Sequence, residues 1–139
     1  MFCIRFFIIF AEEKRAMNVV LLILLLVCHY LADFCLTLPV MIRAKADGRG
    51  VGGIMLHAAV HAVLMGICLL IFGIRIELLL LLMSIEMVSH FIIDTAKGRV
   101  TVRWPVLSDA SKKPYWMLYG LDQLFHQLVI VVIWLVAIA

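Results

Sequence analysis

The sequence predicts an all-α, polytopic membrane protein: a bundle of four transmembrane helices with inward-facing His/Asp pairs. Three observations lead there. Of the 139 residues, 66% are hydrophobic and only 15% are charged, more Leu, Ile, Val and Met than a soluble domain of this size has interior to hold. Four apolar stretches each approach the length needed to cross a bilayer. In each of them two side chains of metal-ligand type stand four residues apart: His29 and Asp33, His57 and His61, His90 and Asp94, Asp122 and His126.

Residues 1–16, MFCIRFFIIFAEEKRA, are too short to span a bilayer and carry no signal-peptide cleavage pattern. The Glu-Glu-Lys-Arg run before Met17 requires purine-rich codons resembling a ribosome-binding site. The segment reads either as a leader or mis-called start, or as a short amphipathic surface segment. Residues 17–139 read as one four-helix transmembrane domain. The first span is expected from about Asn18 to Leu38, where Pro39 stops a regular helix. The second runs from about Ile54 to Gly73, the third from about Ile76 to Ala96, and the fourth from about Trp116 to Ala139. A polar, glycine-rich loop, IRAKADGRGVGG, joins the first two, and a tight turn around Arg75 joins the next pair. The longest connection, KGRVTVRWPVLSDASKKPY, carries Trp104 and is expected to lie partly on the membrane surface.

Basic residues orient the spans. Arg43, Lys45 and Arg49 lie in one connection, and Lys97, Arg99, Arg103, Lys112 and Lys113 in another. The positive-inside rule puts both in the cytoplasm, with both termini outside. The pairs give an independent check: they close span one, open span two, close span three and open span four, so all lie at one depth near the cytoplasmic face. The net charge is only +3, and the basic residues cluster in two segments, a pattern that fits membrane orientation better than nucleic-acid binding. Cys3, Cys28, Cys35 and Cys68 form no CxxC and read as small membrane-core residues. Cys68 shares a helix face with His57 and His61.

Residues at i and i+4 share one helix face, so each pair is a two-pronged claw, and four claws can converge. Ionisable groups inside a membrane are costly and default to function. Imidazole and carboxylate are ligands for zinc first, and also for iron, manganese or nickel. Eight candidates, His29, Asp33, His57, His61, His90, Asp94, Asp122 and His126, exceed one tetrahedral site, so two divalent ions, zinc foremost, are the expected count. Two such ions, three aspartates and one bridging hydroxide come to about neutral, which a membrane interior demands. Helix bundles build dinuclear sites in this way, and paired metals hydrolyse phosphate esters. Glu86, His90, Asp94 and Lys97 share a face. Glu86 is a candidate general base or a hydrogen-bond partner orienting His90, and Asp94 a candidate to position the attacking water. Lys45, Lys97 and Arg99 are candidates for holding an anionic lipid headgroup. Gln123 and Gln127 read as interhelical hydrogen-bonding residues.

The segments HYLADFCLTLPVMIRAK, LHAAVH, HFIIDTAK and LDQLFHQ occur here in that order. Together they resemble the domain-of-unknown-function 3307 family, small integral-membrane proteins of bacteria and phages. The resemblance covers most of the chain from about Met17. That family's pattern has a glutamine where Thr37 stands, a departure that leaves His29 and Asp33 intact. A looser likeness runs to inner-membrane proteins described as metal-dependent hydrolases, and it implies only an analogy.

The expectation is a dinuclear metal-dependent hydrolase acting on a phosphate ester or other ester of a membrane lipid at the cytoplasmic leaflet. The partners expected are lipid and, at most, further copies of the chain, with no nucleic acid. Two rivals stand beside it: an ion- or proton-handling protein, which would need an oligomer, and a non-enzymatic bacterial or phage interaction protein whose claws only fix the bundle.

Overall fold

A computed structural model describes the backbone of residues 2–139 and the side chains of residues 16–139; the leader reading of residues 1–16 lies outside what is so described. The chain forms four long helices, α1 (Phe2–Tyr30), α3 (Val51–Ile71), α4 (Ile76–Arg103) and α5 (Lys113–Ile138), with a short α2 (Pro39–Asp47) between the first two. Segments Ala16–Cys35, Val51–Ile71, Ile76–Arg103 and Lys113–Ile138 are each long and apolar enough to cross a membrane, so this is a multi-pass membrane protein. The long helices close a ring: α1 packs on α3, α3 on α4, α4 on α5 and α5 on α1. Their outer faces are apolar and exposed, as at Ile23, Leu70, Ile71, Leu80 and Val132. That surface would be an aggregation hazard in water and is an ordinary one in hydrocarbon.

The first span ends in a π-helical turn, Leu31–Cys35. The amide of Leu36 donates to the Leu31 carbonyl five residues back, at 2.9 Å. Thr37 closes this turn: its hydroxyl donates to the carbonyls of Ala32 at 2.9 Å and Asp33 at 2.7 Å, which a widened turn would otherwise leave short of partners.

Pro39 not only stops one helix but starts the next. Leu38 is extended, and Pro39 supplies the preset φ of a first helical residue. The structure thus turns part of the expected polar loop into α2. The reason is a face that loop-like composition concealed: Met41, Ala44, Lys45 and Gly48 recur at helical spacing, and all but Lys45 are buried. Gly48 ends α2 in the left-handed region, φ 63°, its amide returning to the Ala44 carbonyl at 3.1 Å. α2 packs on α3 and α4.

Gly73, φ 73°, makes the tight turn into α4. α4 runs past the expected end at Ala96 to Arg103, and a 3-10 turn, Pro105–Ser108, leads to α5. Along the bundle axis the interior divides in two. The half near the α3–α4 turn is apolar, built on Leu21, Leu25, Met65, Leu69, Leu79, Leu82, Ile130 and Ile133. Cys68 is buried there with Cys28 packed against this cluster, so the face it shares with His57 and His61 carries it into the apolar half. The other half, near α2 and the α4–α5 connection, holds the claws.

Candidate metal centre

All four claws point inward. His29, His57, His61, His90, Asp94, Asp122 and His126 are at most 6% exposed, and the Asp33 side chain is 5% exposed. Each helix contributes through its i, i+4 pair, and the π turn sets Asp33 into the bundle at the last turn of the first span.

The five imidazoles form one contiguous cluster. The His61 and His90 ring centroids are 3.7 Å apart, His90 and His126 4.1 Å, His57 and His61 4.6 Å, and His29 and His61 4.8 Å. Carboxylates flank them. Asp33 Oδ1 lies 3.0 Å from His57 Nε2 and 3.6 Å from His61 Nε2, and Asp33 Oδ2 lies 3.7 Å from His29 Nε2. Asp94 Oδ2 is 3.6 Å from His90 Nε2, and its Oδ1 is 3.6 Å from His126 Nε2. Asp122 Oδ1 is 3.7 Å from His126 Nε2. A tetrahedral ion with bonds of about 2.0–2.1 Å holds its ligand atoms roughly 3.3–3.4 Å apart. Apart from the Asp33–His57 pair, which is a hydrogen bond at 3.0 Å, these separations are a few tenths of an ångström beyond that spacing and too long for hydrogen bonds.

Three sets bring ligand atoms within 4.8 Å of one another: Asp33, His57, His61 and His90; His90, Asp94 and His126; and His29, His61, Glu86 and His90. His90 is common to all three. Glu86 Oε1 lies 3.3 Å from His90 Nδ1 and 4.0 Å from His61 Nδ1. It therefore addresses the opposite ring nitrogen from the one that faces the aspartates. A carboxylate so placed fixes the tautomer and leaves Nε2 free to ligate. Of the two roles expected for Glu86, the geometry matches the orienting one.

Among the described residues, ten buried side-chain polar atoms lack a hydrogen-bond partner, and nine of them belong to the claws: both nitrogens of His29, His57 Nδ1, the Nε2 atoms of His61, His90 and His126, both Asp94 oxygens and Asp122 Oδ1. An unsatisfied buried polar atom costs roughly 1–3 kcal/mol. The donor set is one a borderline-soft divalent cation accepts, so the residues fit such an ion.

Lys45 and Lys97 are not free at a rim. Lys45 reaches in from α2, and its ammonium donates to Asp33 Oδ1 at 2.9 Å and His57 Nε2 at 2.8 Å and lies 3.3 Å from Asp94 Oδ2. Burial works against its charge, but the carboxylates of Asp94 and Asp33 outweigh burial and hold the ammonium above the ordinary lysine range. Lys97 donates to Asp122 Oδ2 at 2.7 Å and lies 5.1 Å from the Tyr119 ring centre. Arg99 is apart from both, across the α2–α4 contact. Charge at the site thus includes two ammonium groups that the composition-level count of three aspartates and two ions left out.

A cavity of about 380 Å³ opens onto the cluster between α2, the π turn, the 3-10 turn and α5. Asp33, Lys45, Lys97 and Gln123 line its inner end, with Tyr115, Tyr119, Thr101 and Ser108 along it and Phe34, Ile42, Leu107 and Leu118 as its apolar wall. Gln123 donates to Asp33 Oδ2 at 2.9 Å and so ties α5 to the first span. This is the interhelical hydrogen bond expected of Gln123; the sequence did not show that its partner is Asp33.

The family model described as "Protein of unknown function (DUF3307)" matches residues 21–139. No curated protein and no solved structure matches the chain.

Proposed function

The chain belongs to the family described as Protein of unknown function (DUF3307), and from its site we propose a membrane-embedded, metal-dependent hydrolase with a dinuclear centre. It acts on a phosphate ester or other ester of a lipid at the cytoplasmic leaflet of a bacterial inner membrane. The observation that supports this most is the set of nine buried atoms on converging claws that make no hydrogen bond, of which only Asp94 Oδ2 has a cation close by, the Lys45 ammonium at 3.3 Å. A network that merely fixed the bundle would pair such atoms with one another. Ligands to paired divalent ions, zinc first, would instead direct them at a shared centre.

Asp33, His57 and His61 would hold one ion, and His90, Asp94 and His126 the other, with His29 and Asp122 completing the two shells. Paired metals lower the pKa of water and screen charge developing on a phosphoryl group. The protein's own groups do the rest. Lys45 occupies the ligand atoms of Asp33 and His57 and also lines the cavity, so an ion held in that half would leave its ammonium to the cavity. There it and Lys97 hold an anionic headgroup as point charges. Glu86 holds the imidazoles of His90 and His61. Asp33, at the inner wall of the cavity, is the carboxylate best placed to orient the attacking water, whereas Asp94 is fully buried and acts as a ligand. The apolar cavity wall of Phe34, Ile42, Leu107 and Leu118 suits the first carbons of an acyl chain.

Within a single bundle the proton- or ion-relay reading has no polar path among the described residues. Beneath Glu86 the bundle is filled by Leu82, Leu79, Leu69 and Ile133, all nearly or fully buried. Orientation rests on charge: Arg43, Lys45, Arg49, Lys97, Arg99, Arg103, Lys112 and Lys113 lie at the cavity end, and the α3–α4 turn at the far end carries Arg75.

The test is metal content and turnover together. Purified full-length protein should carry close to two transition-metal ions per chain. His57→Ala with His61→Ala should lower affinity by about 10–100-fold or more. Metal-loaded protein should release phosphate or headgroup from a mixed phospholipid and lipid-phosphate panel, and Asp94→Asn should not. Metal-free protein that stays folded and active would overturn the proposal.

A further inference from the structure

Arg99 belongs to a second pocket. It is about 520 Å³ in volume, lined by Asp47, Arg49, Arg99, Val102 and Arg103, and shares no residue with the cavity over the metal centre. Arg99 and Arg103 sit one turn apart on α4, and Arg49 comes from the turn between α2 and α3. A backbone-to-backbone contact brings them together. A Cβ on Gly98 would strike the Gly48 amide and stand 2.5 Å from the Lys45 carbonyl; one on Gly48 would stand 2.6 Å from the Thr95 carbonyl. Two glycines therefore let α2 lie directly on α4, and three arginines come to line one concavity because of it.

Convergence of like charges needs a partner. The ion pairs at this end of the bundle are made by Lys45, Lys97 and Lys112; among the described residues Arg49, Arg99 and Arg103 make none. The one carboxylate present, Asp47, already accepts the Arg49 backbone amide at 2.9 Å. Anchoring a span at the interface requires arginines that reach headgroup depth, and does not require three around one concavity.

We propose that this pocket is a phosphate-binding site, distinct from the metal centre, that takes the phosphate of an anionic membrane lipid. Guanidinium forks match phosphate oxygens in pairs. The pocket sits at the helix ends, where headgroups lie. Val51, Val102 and Trp104 beside it are exposed, offering apolar surface to acyl chains and an indole to the interface. The site is a docking point for a resident lipid, which holds α2 against α4 from outside as the glycines do from within.

The experiment uses the full chain reconstituted in phosphatidylcholine vesicles containing phosphatidylglycerol, then released for native mass spectrometry. Wild type should retain phosphatidylglycerol over phosphatidylcholine. Arg49→Gln with Arg99→Gln and Arg103→Gln should lower that retention at least about tenfold. Replacing the same three by lysine should leave an intermediate level, since charge remains and the fork is lost. Inorganic phosphate added in excess separates the sources: failure to displace the lipid supports a lipid site, and displacement with phosphate bound in its place supports the same chemistry for a soluble phosphate. Melting curves of both triple variants in detergent should match wild type, which certifies folding and keeps this outcome independent of the hydrolase reading. Equal retention by wild type and the glutamine variant, with no bound phosphate, would overturn the proposal.

Discussion

Replacing Lys45 with methionine should tighten metal binding while weakening the metal-free protein. The ammonium lies 2.9 Å from Asp33 Oδ1, 3.3 Å from Asp94 Oδ2 and 2.8 Å from His57 Nε2. Breaking a buried charge pair by removing one partner costs about 3–5 kcal/mol, so the metal-free variant should melt well below wild type. An ion entering the wild-type site must first displace those contacts. Charge-assisted hydrogen bonds are worth roughly 1.5–3 kcal/mol, and each 1.4 kcal/mol is about tenfold in affinity. The variant should therefore bind zinc about 10–100-fold more tightly, and zinc should restore most of its lost thermal stability. Lys45→Arg should keep the metal-free stability. The folded pKa of Lys45 is raised. Its contribution is therefore fully present below the unfolded lysine value of about 10.4 and is lost only as pH rises through the higher folded value. The stability gap between wild type and Lys45→Met should accordingly stay constant between about pH 6 and 9 and shrink only in strong alkali. Competition against a chelator of known affinity, with melting curves in detergent, measures all of this. A variant that binds zinc no more tightly, or whose metal-free form melts like wild type, would refute the idea that Lys45 stands in for the ion.

Gly98→Ala should destabilise by roughly 1–3 kcal/mol through overpacking, because the added methyl meets backbone rather than a flexible side chain; a melting temperature equal to wild type would contradict the α2–α4 contact. Thr37→Val keeps the shape and removes the hydroxyl that serves two carbonyls, and should cost on the order of 1 kcal/mol in the same measurement. A cysteine placed at Lys112, which is exposed, should react in intact cells only with membrane-permeant reagents; labelling by an impermeant reagent from outside would reverse the assigned orientation.

Much of the centre was legible because its signal is local. The i, i+4 spacing fixes a face, and the position of each pair along its span fixes a depth, so convergence follows from two periodicities. The spans followed from composition in the same way. What the sequence concealed depends on tertiary packing. α2 reads as a loop because its glycines and charges mimic one, and its buried face of Met41, Ala44 and Gly48 makes sense only against α3 and α4. Lys45, placed at the rim by composition, is carried inward by that helix. The π turn at Leu31–Cys35 has no side-chain signature of its own, and Thr37 is its sole polar trace. Glu86 was visible as a neighbour of His90, but which nitrogen it addresses is a matter of ring orientation that spacing cannot give.

The solid apolar half of the bundle also fixes where the electrical field falls. A membrane potential drops across insulating material, and moving one elementary charge through 100 mV costs about 2.3 kcal/mol. Here the leucine and isoleucine packing around Leu82 and Leu69 is the insulator, while the claws face the cavity of the opposite half. The charged cluster therefore rides at the potential of the compartment its cavity opens to. Whatever enters the cavity from that compartment reaches the claws without crossing the field, and any chemistry there is decoupled from whether the membrane is energised.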